Sequence, residues 1–197
     1  SLPLYLQGKL IFSDYQLIGR HENALTYALG HCLSFDREFL SSFLRRCQFK
    51  GVTKANVGRA EIHLQKRERE AGIVDLEIFI QDRLQLIVEA KVNEGYPSIA
   101  QVRTYIQRIQ RFNKRGIQSK VVVLTNITND KVKNCLKGQF GKQIGFLTWS
   151  DILELSQKLA EHDDSTFNLR SFSAYMKEVY HMIINAEEEV WIVPLAK

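Results

Sequence analysis

IVDLEIFIQDRLQLIVEAK, residues Ile73 to Lys91, decides the fold. Leu76, Ile78 and Ile80 alternate with Asp75, Glu77 and Phe79. After Gln81-Asp82-Arg83, Leu84, Leu86, Val88 and Ala90 alternate with Gln85, Ile87, Glu89 and Lys91. Period-two alternation is the pattern of a β-strand with one buried face, so the stretch predicts two strands joined by a tight loop. Folding it about Asp82 sets Ile80 against Leu84, Ile78 against Leu86 and Asp75 against Glu89. One face is then continuously apolar, and the other carries Asp75, Glu77, Glu89 and Lys91 at its open end. Opposed residues stand ~4.5–5.5 Å apart at Cβ, and like charges there are destabilising. A proton, a cation or a water-filled opening must relieve them. A divalent metal does so and also brings chemistry, because carboxylate oxygens suit hard ions such as Mg2+ or Mn2+.

These residues carry a resemblance. Asp75 followed by Glu89-Ala90-Lys91 is similar to the Asp…(Asp/Glu)-x-Lys signature of the PD-(D/E)XK nuclease superfamily. Gln101-Val-Arg-Thr-Tyr105 resembles the Gln-x-x-x-Tyr motif of its RecB-like branch, and Glu22-Asn-Ala-Leu-Thr26 resembles the acidic start of its first core helix. The resemblance runs from about Glu22 to Leu155. It departs from the pattern at Val74, where many members have Pro.

The resemblance implies a restriction-endonuclease-like core and metal-dependent hydrolysis of DNA phosphodiester bonds. Asp75, Glu89 and the Ala90 carbonyl would hold Mg2+ or Mn2+, with Glu22 joining through a water. Lys91 would orient or deprotonate the attacking water. Gln101 would position Lys91 or the substrate, and Tyr105 would hold phosphate oxygens with Arg103, Arg108 and Arg111. Lys66 and Arg67 extend the basic surface toward DNA, and a homodimer is compatible with this reading. A non-catalytic nucleic-acid-binding or assembly module on the same fold is the alternative. Retention of Asp75, Glu89 and Lys91 together favours the enzyme. Cutting at ends and cutting within a duplex both remain open, as do DNA and RNA.

Outward from the hairpin, the composition is that of a globular chain: 197 residues, 45% hydrophobic and 25% charged. That length suits one domain with a full core, or a domain plus an extension. We expect a nuclease-like domain over 1–161 and a C-terminal helix and tail over 162–197, packing on the core or leading to a further domain. No apolar run approaches a membrane span, the N-terminus lacks a charged-then-apolar signal, and Ser1 in place of Met suggests a trimmed chain. Cys32, Cys47 and Cys135 are odd in number and widely spaced, which fits a reducing, cytoplasmic setting.

The net charge of +5 is unevenly spread: eight basic residues and two acids lie between Arg45 and Arg69, and six basic residues and no acid between Pro97 and Lys120. Basic stretches around an acidic cluster suit a polyanion, and equally an ordinary solvated surface.

Residues 22–45 read as helix, with Leu25, Ala28, Leu29, Cys32 and Leu33 as its apolar stripe. Gly30 weakens it, and Leu33-Ser34-Phe35-Asp36 marks a break before a second helix through Phe39, Leu40, Phe43 and Leu44. Glu22 suits a first turn on dipole grounds alone. Val57 to Arg69 reads as one strand, with Lys66 on the side of Ile62 and Leu64. A helix follows Pro97 and stops at Gly116; Val102, Ile106 and Ile109 face the core, and Gln101, Tyr105, Arg108 and Phe112 share the adjacent face. Lys120–Thr125 reads as a strand buried on both faces, Val132–Leu136 as a short helix and Ile144–Leu147 as a strand. Thr148-Trp-Ser-Asp151 reads as a capping box opening the helix Ile152–Leu159. The last helix, Ser165–Asn185, should bury Phe167, Phe172, Tyr175, Met176, Val179 and Met182, ahead of the apolar tail Val190–Pro194. The class is α/β with a mixed sheet.

Overall fold

The hairpin forms in the register its alternation requires. β4 (Gly72–Ile80) pairs antiparallel with β5 (Leu84–Lys91), Ile80 against Leu84 and Ile78 against Leu86. Asp82 takes the left-handed conformation (φ 56°) that closes the three-residue loop, and the Arg83 N–H donates to the Ile80 carbonyl at 3.1 Å. The structure, a computed structural model, describes residues 4–6, 9–11, 15, 22–68, 72–92, 95–113, 116–126 and 129–189.

Around the hairpin the sheet has the order β3-β4-β5-β6-β7, with β3 (Glu61–Glu68), β6 (Gln118–Thr125) and β7 (Ile144–Thr148). Neighbours are antiparallel from β3 to β5 and parallel from β5 to β7. A separate antiparallel pair, β1 (Leu4–Leu6) with β2 (Lys9–Ile11), precedes it and has no counterpart in the sequence reading.

Helices cover both faces. On one lie α1 (Glu22–Phe35), α2 (Arg37–Arg46), α5 (Trp149–Ala160) and α6 (Phe167–Glu189), whose Leu25, Phe39, Trp149 and Phe172 pack with Leu76, Ile78, Leu86 and Val88. On the other lie α3 (Ile99–Asn113) and α4 (Asp130–Phe140), whose Val102, Ile106, Ile109 and Leu136 pack with Ile87, Val121 and Val123. This is the α/β mixed sheet with a C-terminal helix that the sequence predicts. Double coverage explains why β5 is buried along nearly its whole length and β6 from Val121 to Thr125, as parallel strands with helices on both faces must be. The second face of the hairpin is therefore not open, as the alternation alone suggested.

Local signals explain the helix ends. Asp36 ends α1 and caps α2, its Oδ1 accepting from the Phe39 N–H at 2.8 Å. Thr148 and Asp151 form the capping box of α5. Gly30 has a packing reason: a Cβ there would lie 2.7 Å from Leu64 Cδ2, so α1 sits directly on β3.

Three expectations are corrected. Residues Asn56–Arg59 form a 3-10 turn and β3 begins only at Glu61, because Thr53 and Asn56 hydrogen-bond to each other and fix a turn first. Phe167 is 73% exposed, lying at the first turn of α6 ahead of the buried Leu169 and Phe172. Lys66 does not follow Leu64. Gln65 is left-handed (φ 49°), which shifts the alternation and brings Lys66 to the α3 face, where its Nζ lies 2.7 Å from Glu77 Oε2. The burial expected for Met182 rests on a side chain outside the description, and Val190–Pro194 lie outside the described residues.

Candidate active site

β4 and β5 deliver two carboxylates to one place. The pairing Leu76 against Val88 is the last in the ladder, and the same register carried one step further sets Asp75 level with Glu89. The ladder ends there because a side chain replaces it: Asp75 Oδ2 accepts the Ala90 N–H at 2.9 Å. Its other oxygen accepts from Gln65 Nε2 at 2.9 Å. Asp75 is thus held from both sides, by β5 and by the left-handed residue of β3.

Glu89 points under α3 and is 2% exposed. Its Oε1 accepts from Gln101 Nε2 at 2.7 Å and lies 3.3 Å from Lys91 Nζ; its Oε2 is 2.9 Å from the Tyr105 hydroxyl. That hydroxyl also lies 3.1 Å from the Ile73 carbonyl and accepts from Gln101. Gln101 and Tyr105 come four apart on α3, one helical turn, so both meet one carboxylate. Burial, and after it the Asp75 charge, push the Glu89 pKa up to about 7, against hydrogen bonds from Tyr105 and Lys91. Tyr105 is raised well above its usual range by burial and by Glu89. The Lys91 carbonyl is fixed by the indole N–H of Trp149 at 3.1 Å.

Asp75, Glu89, Ala90, Lys91, Gln101 and Tyr105 are therefore brought together. α1 begins at Glu22, but the Glu22 side chain lies outside the described residues, as does that of Arg67. Arg103 stands exposed on α3 and Arg111 near its end. Arg108 is corrected: it is buried, its NH2 against Glu77 Oε1 at 2.5 Å, so it serves a buried ion pair and not an exposed basic surface.

Sequence reasoning missed the Glu77 cluster. Glu77, expected on an open face, is 2% exposed and meets Lys66, Gln85 and Arg108. The signal was a matched pair of faces: Gln101 and Tyr105 over Glu89, Arg108 over Glu77, and Phe112 over Phe79, ring centroids 6.0 Å apart.

The donors at the first cluster are oxygens, which suit a hard cation. Among the described residues no three His, Cys, Asp or Glu side chains converge, so the described side chains offer two carboxylates. Cys32 and Cys47 are buried and their thiol pKa values are raised by that burial, and Cys135 is exposed on α4. Among the described residues no helix is long and apolar enough to cross a membrane.

What the fold and site define is an α/β domain with an acidic pair and a lysine at the ends of two central strands. No family model matches the sequence, and no curated protein matches it. Among solved structures it is similar to the small subunit of the heterodimeric restriction endonuclease R.BspD6I, at 12% identity and a TM-score of 0.37, over 77% of this chain and 99% of that one.

Proposed function

We propose that the protein is a metal-dependent nuclease that hydrolyses DNA phosphodiester bonds. One observation carries the reading: Asp75 and Glu89 meet from adjacent strands, with Lys91 3.3 Å from Glu89, in a setting that makes a second negative charge unfavourable. A proton relieves that conflict at low pH, and a divalent cation relieves it when Glu89 is ionised.

Asp75, Glu89 and the Ala90 carbonyl would hold Mg2+ or Mn2+, with Glu22 joining through a water. Two carboxylates suffice for Mg2+, which usually keeps water and phosphate oxygens as its other ligands. When bound, the ion supplies charge neutralisation at the phosphate and a more acidic water. The chain does the rest. Gln65 and the Ala90 N–H fix the Asp75 carboxylate. Gln101 and Tyr105 fix Glu89. Lys91 orients the attacking water and offsets phosphate charge. Water oxygen bonds to phosphorus in line, the opposite P–O bond breaks, and the leaving sugar oxygen gains a proton. Arg103 and Arg111 of α3, with Lys66 and Arg67 of β3, steer the DNA. The cytoplasm is the setting, and a homodimer is one assembly the reading accepts.

A second reading, a non-catalytic DNA-binding or assembly module, is favoured by one fact: each oxygen of Asp75 and Glu89 already has a protein partner. Incubation of linear and circular DNA with Mg2+ or Mn2+, with and without EDTA, separates the two. We expect cleavage only with metal, its loss in Asp75→Ala, and its loss in Lys91→Ala with DNA binding retained. No cleavage by the folded wild-type protein with either metal rejects the nuclease.

A further inference from the structure

Under the C-terminal half of α3, on the same face of the sheet as Glu89, lies a cavity of about 460 Å3. That is within the ~300–1,000 Å3 of small-molecule sites. Phe79, Phe112, Lys66, Glu77, Gln85 and Arg111 are among the residues that line it.

The wall holds an acceptor that the protein leaves over. Gln85 is 2% exposed, and its Nε2 donates to Glu77 Oε1 at 2.6 Å. Glu77 is ionised: burial pushes its pKa up, but hydrogen bonds from Lys66 and Gln85 and the Arg108 charge outweigh burial and hold it below the ordinary value. An ionised carboxylate only accepts. The Gln85 amide therefore cannot be turned over, and its Oε1 faces away from Glu77. Among the described residues no donor reaches that oxygen. A buried acceptor without a donor is costly; the oxygen is closed off from solvent behind the lining, so a molecule in the pocket that brings an N–H meets it through a small shift of the Gln85 side chain. Next to Gln85 stand two half-buried rings, Phe79 and Phe112, set edge to face. Lys66 and Arg111 supply positive charge on the lining.

We propose that this pocket binds one nucleotide, its base against Phe112 and Phe79, a base N–H on Gln85 Oε1, and its phosphate toward Arg111 and Lys66. An orphan acceptor, a ring platform and cations correspond to base edge, base face and phosphate. Choosing a nucleotide over other aromatic anions rests on the phosphodiester reading of Asp75 and Glu89. Gln85 lies four residues from Glu89 along β5, about 13 Å at ~3.3 Å per residue, so one strand of nucleic acid could reach both.

The test is calorimetric titration of the intact protein in EDTA with adenosine, guanosine, cytidine and thymidine 5′-monophosphates, and with ribose 5-phosphate. At least one nucleotide should bind about 10-fold or more tighter than ribose 5-phosphate. Phe112→Ala should weaken it about 5- to 150-fold, the range of one base–aromatic stack. Gln85→Leu should weaken it similarly, with thermal unfolding confirming that both variants fold. A single-stranded oligonucleotide that displaces the mononucleotide, but not when abasic, assigns the pocket to a base of a strand; no displacement assigns it to a free nucleotide, and both support the site. The proposal is overturned if no nucleotide binds, or if binding survives unchanged in folded Phe112→Ala. Cleavage plays no part in this readout. Nucleotide binding without cleavage would leave the pocket standing and remove the nuclease, and cleavage without nucleotide binding would do the reverse.

Discussion

Below about pH 7, Glu89 keeps a proton that a surface carboxylate loses. Its pKa rises from 4.5 to about 7, through burial first and the Asp75 charge second. A carboxyl raised on folding contributes stability that is fully present below the unfolded pKa and lost as pH rises through the folded one. The window here is about pH 4.5 to 7, and the shift corresponds to roughly 3 kcal/mol at most. Gln is the isostere of the protonated form: it accepts from Gln101 and donates to the Tyr105 hydroxyl. Glu89→Gln should therefore stabilise the metal-free protein by roughly 1–3 kcal/mol at about pH 8 and leave it unchanged near pH 4, as read by urea denaturation at both. It should also abolish cleavage. In the wild type, cleavage should fall as pH drops below about 7, since the proton then competes with the cation for Glu89. Equal stability changes at both pH values would show that Glu89 is not the titrating group.

The hairpin, the last helices and α3 were legible because each carried its own local rule. Period two fixed the β4–β5 register through Leu76 and Val88, and Gly116 (φ 74°) stops α3 as the sequence indicated. The capping box of α5 was equally plain, with Asp151 N–H to Thr148 Oγ1 at 3.0 Å and Thr148 N–H to Asp151 Oδ2 at 2.8 Å. Thr148→Ala removes half of that exchange and should cost about 0.5–2 kcal/mol, seen as a lower urea midpoint with an unchanged slope. A change below about 0.3 kcal/mol would mean that packing of Trp149, not the cap, starts the helix. Other elements obeyed rules that a single strand does not display. Polar residues buried in pairs, such as Glu77 with Arg108, look like a solvated face until the covering helix is known. Gln65 gives no hint of its left-handed backbone, because the conformation is imposed by the strand pair and by its bond to Asp75. Among the proposed site residues, Asp75, Glu89 and Lys91 were readable from register, whereas the partner of Arg108 was not.

For the molecule as a whole, net charge overstates what is offered to a polyanion. Among the basic residues from Arg45 to Arg69, Arg45 and Lys54 meet Glu38, and Arg46 meets Asp151 and Glu154. Those charges serve the fold first. The arginines of α3 divide in the same way, and the division is testable in one pair of variants. Arg108 is 9% exposed against an ionised Glu77, so Arg108→Ala strips a buried carboxylate of one of its partners. Breaking a buried pair costs about 3–5 kcal/mol. With Lys66 and Gln85 still in contact, the low end, about 3 kcal/mol, is expected in urea denaturation. Arg103 is exposed two residues past Gln101, and Arg103→Ala should leave stability within about 0.5 kcal/mol. Its effect should appear in DNA binding. With Asp75→Ala in the background to prevent cleavage, the dependence of log affinity on log salt, followed by fluorescence anisotropy between about 50 and 200 mM, should lose about one unit of slope. If Arg103→Ala leaves the slope intact while Arg108→Ala is stable and lowers it, then Glu77 does not hold Arg108 in the folded protein, and the buried face of α3 opens toward DNA.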